Sequence, residues 1–236
     1  MTPEQLFADL LAAQPGQPFV TYYDEATGER SELSVRSLAN WVAKTHFLLL
    51  DELGLGPGDA ALIALPAHWI SVPALLGCLT AGLELTATES SAAVAFVEPG
   101  TIAQANGIPD VYAIAPSSAA VGFGASVPAG ATDYVVSVRP QPDAWTSVRF
   151  GASETDPCID GRDRAAVVTA ARERATELGV PSGARVLTTR DWSGPMDWLD
   201  TLLVPLAVGG SVVFVRNASD DVVRRRIEQE RATITL

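Results

Sequence analysis

Apolar residues recur along the first part of the chain at helical and strand spacings. Thr2 followed by Pro3 and Glu4 predicts a helix start, and the apolar residues after it share one helical stripe. Segments 19–23 and 31–33 flank a turn and predict a hairpin. Ser34 is placed to cap a long amphipathic helix that ends near Gly54. The chain therefore opens with helix, hairpin and helix.

After this opening, short apolar runs alternate with helical segments. We predict strands at 60–65, 92–97, 111–115, 134–138, 185–188, 211–215 and 233–236, and helices at 69–79, 163–178, 196–207 and 220–231. Segments 116–132 and 138–158 are rich in small or polar residues and predict loops. The alternation predicts an α/β fold with mainly parallel sheets and crossover helices.

One pattern occurs twice in the chain. The turn sequence of residues 53–59 precedes the strand at 60, and the similar sequence of residues 178–184 precedes the strand at 185. The helices that follow these strands end in similar sequences, residues 75–82 and residues 202–209. Each of these sequences has a glycine as its last residue, Gly82 or Gly209. The repeat predicts two similar doubly wound subdomains, the first over 1–150 with the N-terminal helix and hairpin, and the second, shorter one over 151–236.

Charge and cysteine content exclude several function classes. The net charge of -12 disfavours nucleic acid and anionic membranes as partners, because a negative field repels polyanions. Cys78 and Cys158 fit neither a disulfide framework nor a metal-ligand spacing. No run of about 18 apolar residues occurs, and residues 1–5 do not resemble a signal peptide. We expect a cytoplasmic protein without a metal site.

Two stretches of the sequence resemble a known enzyme superfamily. The phrase Glu52-Leu53-Gly54-Leu55-Gly56-Pro57-Gly58-Asp59, with residues 61–66 and 74–82, resembles the opening motifs of the adenylate-forming superfamily of acyl-CoA synthetases and AMP-dependent ligases. Asp191-Trp192-Ser193, with residues 202–210 and 212–214, is similar to a later motif of that superfamily. The chain also resembles an actinobacterial-type family of short, AMP-binding-like proteins. The resemblance implies the superfamily's N-terminal domain, built from two similar doubly wound subdomains, without its C-terminal domain.

The phosphate loop departs from the superfamily pattern. Enzymes of the superfamily carry a loop of the form T-S-G-T-T-G-x-P-K-G, whose place is best matched here by residues 152–157. Ser153 and Thr155 could keep hydroxyl contacts, but Glu154 and Pro157 stand where glycines belong, no lysine follows, and Asp156 adds a second negative charge. A carboxylate about 4 Å from a phosphate costs on the order of 1–4 kcal/mol. AMP or ATP is thus disfavoured, and we expect no bound cofactor.

The superfamily's adenine and ribose motifs and its catalytic lysine would fall after Leu236. We therefore expect no adenylation in the manner of the superfamily and assign no catalytic residue. Ser153, Thr155, Asp191 and Ser193 remain weak candidates for contacts with a nucleotide. For Asp191 and Ser193, a role in capping or turn formation is the favoured interpretation.

Other chemically capable residues have simpler interpretations. His46 and His68 have no acid or cysteine at ligand spacing, so we expect structural roles for both. Trp192 and Trp198 could line an apolar pocket, but core packing is favoured. The arginines at 224–226, and those at 162, 164, 172 and 174, alternate with acids on predicted helices and favour a solvated face over a phosphate clasp.

Three functions are compatible with these features. The favoured hypothesis is a catalytically inactive adenylation-like domain that binds another protein or itself, in part through an exposed strand at 233–236. The second is a small-molecule module that binds an acyl or aryl acid or a nucleotide without turnover. The third is a partial acyl-adenylating ligase completed by a second polypeptide, which the carboxylates of Glu154 and Asp156 argue against.

Overall fold

The computed structural model describes residues 1–88, 91–116, 120–124 and 126–236. The chain folds into two compact units, and each is described by itself below. Unit 1 comprises Met1–Leu38 and Ala165–Leu236, and unit 2 comprises Ala39–Arg164. This division differs from the predicted boundary at residue 150. The N-terminal strand pairs in parallel with a strand of the second half of the chain, from Val20↔Val212 to Asp24↔Arg216, so residues 1–38 belong with that half.

Unit 1 is built on a five-stranded sheet. Its strands are β1 (Pro18–Asp24), β2 (Glu29–Ser34), β10 (Arg185–Thr188), β11 (Ser211–Arg216) and β12 (Ile234–Thr235), in the order β12-β10-β11-β1-β2. Only the β1–β2 hairpin is antiparallel in this sheet. Its helical segments are α1 (Pro3–Ala13), α5 (Arg164–Glu177, whose first residue falls in unit 2), α6 (Pro195–Trp198), a π-helical turn (Leu199–Leu203), α7 (Val204–Ala207) and α8 (Asp220–Glu230).

Unit 2 is built on a seven-stranded sheet. Its strands are β3 (Ala60–Ala64), β4 (Glu84–Thr86), β5 (Ala92–Val97), β6 (Asp110–Ala113), β7 (Thr132–Asp133), β8 (Pro157–Ile159) and β9 (Arg162–Asp163), in the order β7-β6-β5-β3-β4-β8-β9. All pairs are parallel except β8–β9. The helical segments are α2 (Val35–Phe47, which begins in unit 1), a π-helical turn (Leu48–Glu52), α3 (Ser71–Ala81), 3₁₀ turns at Ile102–Ala105 and Trp145–Ser147, and α4 (Tyr134–Val138).

The predicted α/β fold with mainly parallel sheets is confirmed, and local sequence signals explain its first elements. Thr2 caps α1 in a capping box with Gln5, and Pro3 occupies the first turn. The Ser34 hydroxyl accepts the Ser37 N–H at 3.1 Å at the start of α2. The hairpin turn contains Gly28 at φ 75°, a left-handed conformation that favours glycine.

The predicted strand at 134–138 is wrong, because this segment is helix α4. Its valines favour a strand by propensity. The Asp133 carboxylate, however, accepts the N–H groups of Val135 at 2.9 Å and Val136 at 3.2 Å and so caps a helix. The predicted helix at 196–207 is interrupted by the π-helical turn. Strands β4, β7, β8 and β9 were not predicted, because each is only two or three residues long.

No helix in the described ranges has the length and apolar character needed to cross a membrane.

Candidate functional site

The loop predicted to replace the phosphate loop lies in unit 2, just before β8. The Asp156 carboxylate accepts the backbone N–H of Ser153 at 2.7 Å, and the Asp156 N–H donates to the Ser153 carbonyl at 3.2 Å. The hydroxyls of Ser153 and Thr155 lie 3.1 Å apart and hydrogen-bond to each other. The structure thus brings Ser153 and Thr155 together, but in a turn that is closed on its own polar groups.

Charge in this turn is negative. Hydrogen bonds from the Ser153 backbone and side chain hold the pKa of Asp156 below its usual value, so this carboxyl is ionised at neutral pH. Glu154 is exposed in the same turn. A phosphate-binding loop needs backbone N–H groups that point at the anion. Here the Ser153 N–H already binds an anion, and that anion belongs to the protein.

The downstream end of the turn is fixed by Arg164. Its backbone N–H donates to the Asp156 carbonyl at 3.1 Å, and its fully buried guanidinium donates to the carbonyls of Leu79 at 2.9 Å and Leu83 at 3.1 Å. Pro157 is the first residue of β8. This anchoring links the turn to the end of α3.

The second predicted segment lies in unit 1, after the carboxyl end of β10. The Asp191 carboxylate accepts the Trp192 N–H at 2.9 Å and forms an ion pair with Arg216. Both the N–H and the hydroxyl of Ser193 donate to Asp197, at 2.8 Å and 2.6 Å. The interpretation of Asp191 and Ser193 as turn and capping residues fits these contacts. This segment and the Ser153 turn belong to different units.

Trp192 and Trp198 are both buried in unit 1. The Trp192 indole N–H donates to the Thr201 hydroxyl at 2.9 Å, and its ring meets Phe214 edge to face at a centroid distance of 6.0 Å. These contacts are those of core residues with a satisfied polar atom. The favoured interpretation of core packing fits the structure.

A buried carboxylate in unit 1 was not among the residues singled out from the sequence. Asp200, whose side chain is only 4% exposed, accepts two hydrogen bonds from Arg174, at 2.8 Å and 3.1 Å, and one from Arg190 at 3.0 Å. These bonds raise the pKa of Arg174. The available signal was an acid inside the apolar run 198–203. Its partners lie 26 and 10 residues away, so the pairing needed the fold.

The histidines and cysteines fill structural positions. His46 is buried in α2, and burial lowers the pKa of its imidazole. His68 is also buried, and its Nδ1 accepts the Ile70 N–H at 3.2 Å. Cys78 and Cys158 are free and buried. Within the ranges that the structure describes, no group of three or more His, Cys, Asp or Glu side chains could hold a metal ion.

Comparison with known proteins gives one close relative. The chain is 37% identical over 233 residues to a "TIGR03089 family protein" of Mycobacterium tuberculosis, and the alignment covers 96% of this chain and 94% of the relative. The chain belongs to the TIGR03089 family. No protein-family profile matches it.

Several solved structures of CoA synthetases and ligases are similar in fold to this chain. The acetoacetyl-CoA synthetase of Streptomyces lividans superposes with a TM-score of 0.79 at 17% identity, over 100% of this chain and 42% of the enzyme. An acyl-CoA synthetase of Brucella canis gives 0.76 at 14% identity, over 100% of this chain and 47% of the enzyme. The anthranilate CoA ligase AuaEII, solved with anthranoyl-AMP, gives 0.73 at 15% identity, over 100% and 49%.

The TIGR03089 chain therefore spans less than half the length of these enzymes. At such identities, the likeness establishes the fold alone. The predicted resemblance to the N-terminal domain of the adenylate-forming superfamily is confirmed at the level of fold.

Proposed function

We propose that this TIGR03089 family chain is an adenylation-like domain that does not form acyl-adenylates and acts by binding another protein or a second copy of itself. The observation that carries the proposal is the contact between the Ser153 N–H and the Asp156 carboxylate at 2.7 Å. A nucleotide phosphate at this turn would have to displace a bound carboxylate and then sit beside it.

The electrostatic balance opposes that displacement. Unit 2 holds 5 Lys and Arg residues against 13 Asp and Glu residues, a net charge of -8. The Arg164 guanidinium is buried and already donates to backbone carbonyls, and the turn itself, residues 152–157, contains no Lys or Arg. A triphosphate would therefore meet no available cation in the turn to offset Glu154 and Asp156.

The second candidate segment supports the same proposal. Asp191 is paired with Arg216, and Ser193 donates to Asp197. A ligand that used these groups would first have to break an ion pair and two hydrogen bonds. Binding of a nucleotide would thus cost contacts that the folded protein already makes.

A sheet edge in unit 1 supports the binding role. β12 is the last strand of the five-stranded sheet, and its Thr235 side chain is exposed. Within the described residues, β12 pairs only with β10. Such an edge presents backbone donors and acceptors to an incoming strand.

Adenylation is tested directly by pyrophosphate exchange. Purified protein is incubated with ATP, Mg²⁺, labelled pyrophosphate and a panel of acyl and aryl acids, and labelled ATP is measured. We expect no acid-dependent exchange above the protein-free rate. Acid-dependent exchange by the purified chain would overturn the inactive assignment, and exchange that appears only with a second polypeptide would favour the divided-ligase hypothesis.

The role of the β12 edge in association is tested by placing a charge on it. Thr235→Lys places a charge on the exposed edge strand, and Thr169→Lys makes the same change on an exposed face of α5 as the matched control. Light scattering and pull-down measure self-association and partner capture. We expect Thr235→Lys alone to reduce association; a monomeric wild-type protein that captures no partner, or equal association in both variants, contradicts the role of the edge.

A further inference from the structure

A cavity of about 210 Å³ opens within unit 1 at the amino-terminal ends of its parallel strands. Arg185 and Ser211, the first residues of β10 and β11, line it together with the side chains of Gln14 and Gln17. Leu10 and Val35 supply apolar wall. The volume is below the roughly 300–1,000 Å³ of pockets for drug-sized ligands, so it suits a molecule of a few carbons.

Arg185 is held rigidly beside this cavity. Its Nη2 donates to the Thr21 hydroxyl at 2.9 Å and to the Glu230 carboxylate, and its Nη1 donates to the Ser211 hydroxyl at 3.2 Å. The Arg185 side chain is 18% exposed and that of Glu230 is 8% exposed. A guanidinium fixed in this way loses little further conformational entropy when it binds a ligand.

The Arg185 guanidinium has two further N–H donors. Arginine carries five N–H donors, and the three bonds above leave Nε and one Nη1 hydrogen without an acceptor among the described residues. Glu230 also lies 3.9 Å from Nη2 of Arg30, which is itself paired with Glu32 at 2.9 Å.

The described lining of the cavity contains one charged residue, Arg185, and no acid. The rim amides of Gln14 and Gln17 are exposed and can donate hydrogen bonds. The two remaining guanidinium donors, one on Nε and one on Nη1, together with the glutamine amides and a short apolar wall, match a carboxylate group attached to a small apolar tail.

We propose that this cavity is a binding site for a small aliphatic monocarboxylate, with Arg185 as its anchor. The site is distinct from the Asp191 segment of the same unit, because Arg185 begins β10 and Asp191 follows the other end of that strand. It does not depend on the absence of adenylation, so either proposal can fail alone.

The test is a titration of the full chain with sodium propionate, followed by the backbone amide signals of Gly183, Gly209 and Gly210 in ¹H–¹⁵N spectra. These glycines line the cavity. We expect saturable shifts at these signals with propionate and a weaker response to propionamide, its uncharged counterpart. Shifts that grow linearly without saturation, or that are equal for the two compounds, overturn the proposal.

Variants of the anchor complete the test. In the double variant Arg185→Gln/Glu230→Gln, both members of the ion pair are neutralised, so no unpaired buried charge remains; we expect the apparent Kd to rise at least about tenfold. Arg185→Lys keeps a cation beside Glu230 but removes the planar guanidinium with its remaining Nε and Nη1 donors, and it serves if the double variant does not fold. Arg225→Gln, an exposed arginine of α8, is the control and leaves the titration unchanged. An unchanged Kd in a folded anchor variant refutes the assignment.

Discussion

The two copies of the internal repeat fold alike at their turns and differ in how their helices pack. In unit 2, the turn before β3 uses Gly54 at φ 69° and Gly58 at φ 101°; in unit 1, the turn before β10 uses Gly179 at φ 68° and Gly183 at φ 70°. Both pairs adopt left-handed conformations, which glycine enters without steric cost. The turns of the repeat are therefore set by local chemistry.

The helix ends of the two copies also match. In unit 2, the N–H groups of Gly82 and Leu83 donate to Leu79 at 3.1 Å and Cys78 at 3.0 Å. In unit 1, the N–H groups of Gly209 and Gly210 donate to Leu206 at 3.1 Å and Pro205 at 2.8 Å. This is the same C-terminal capping pattern with a left-handed glycine.

The helices between turn and cap are different. α3 is regular and buried along its whole length, and its Gly77 lets Thr45 of α2 approach closely. The corresponding residue in unit 1 is Val204, which is fully buried after a π-helical turn. The comparison shows that turn and cap signals carry over between the copies, whereas packing depends on the partners that each helix meets.

The largest effect is expected for a substitution that disrupts the close contact between α3 and α2 in unit 2. A Cβ at Gly77 would overlap the side chain of Thr45, so Gly77→Ala forces α3 and α2 apart. We expect a loss of about 1–3 kcal/mol in the free energy of unfolding despite the better helix propensity of alanine. Urea denaturation measures it, with Gly16→Ala, where a Cβ meets no atom within 4 Å, as the control. Equal stability of the two variants would show that the helices tolerate separation.

The next largest effect is expected when the contacts of Arg164 with the C-terminal end of α3 are removed. Arg164→Met removes donors to the carbonyls of Leu79 and Leu83, for which the unit 1 copy has no arginine equivalent. The Leu83 carbonyl would lose this donor, and the Leu79 carbonyl would keep only the Gly82 N–H, so we expect a cost of about 2 kcal/mol. Chemical denaturation compares the stability of this variant with that of Arg162→Met, a control at an exposed position. A loss of stability no larger than that of the control would show that Arg164 does not stabilise the end of α3.

A smaller loss of stability is expected when either of the two capping glycines, Gly82 or Gly209, is replaced. Gly82→Ala and Gly209→Ala both place a side chain at positive φ, which costs about 1–2 kcal/mol. A Cβ at Gly82 would also lie 2.8 Å from Pro57 Cγ, whereas one at Gly209 meets no atom within 4 Å. We expect Gly82→Ala to lower the thermal midpoint more. The reverse order would mean that strain outside the turns decides the difference.

The smallest effect is the pH dependence that Glu230 of unit 1 contributes to stability. Burial acts to raise the pKa of Glu230, but hydrogen bonds from Tyr23 and Arg185 and the nearby arginines outweigh it, so the pKa is lowered from 4.5. A lowered pKa gives stability that is present above the unfolded value and is lost as the pH falls through the folded value. Glu230→Gln should flatten the decline of stability below about pH 4.5; an identical slope in denaturation series from pH 6 to 3 contradicts this role.

Much of the fold followed from the sequence, and the failures have physical causes. β10 was predicted at its observed bounds because apolar, β-branched residues stand between a glycine turn and polar residues. Segment 134–138 has similar residues, yet the Asp133 cap makes it a helix. The hairpin pairs with β11, nearly 200 residues away, which no local pattern reveals.

The candidate site was predictable in part. The acids of the Ser153 turn were visible in the sequence, but the contact of Asp156 with the Ser153 N–H depends on the turn geometry. The ion pairs of Asp200 and the placement of Arg185 beside a cavity join distant residues. Residue types indicate which chemistry is available, and only the fold shows which groups are already engaged.

The central claim is that the Ser153 turn is closed by its own carboxylate and does not bind a nucleotide phosphate. The most direct measurement is a titration of the ¹⁵N-labelled chain with Mg²⁺-ATP, observed at the backbone amide of Ser153, with Asp156→Gly as the variant that removes the internal anion. We expect no saturable shift of the wild-type Ser153 signal, and a phosphate-dependent shift only when Asp156 is removed. A saturable shift of Ser153 in the wild-type protein would contradict it.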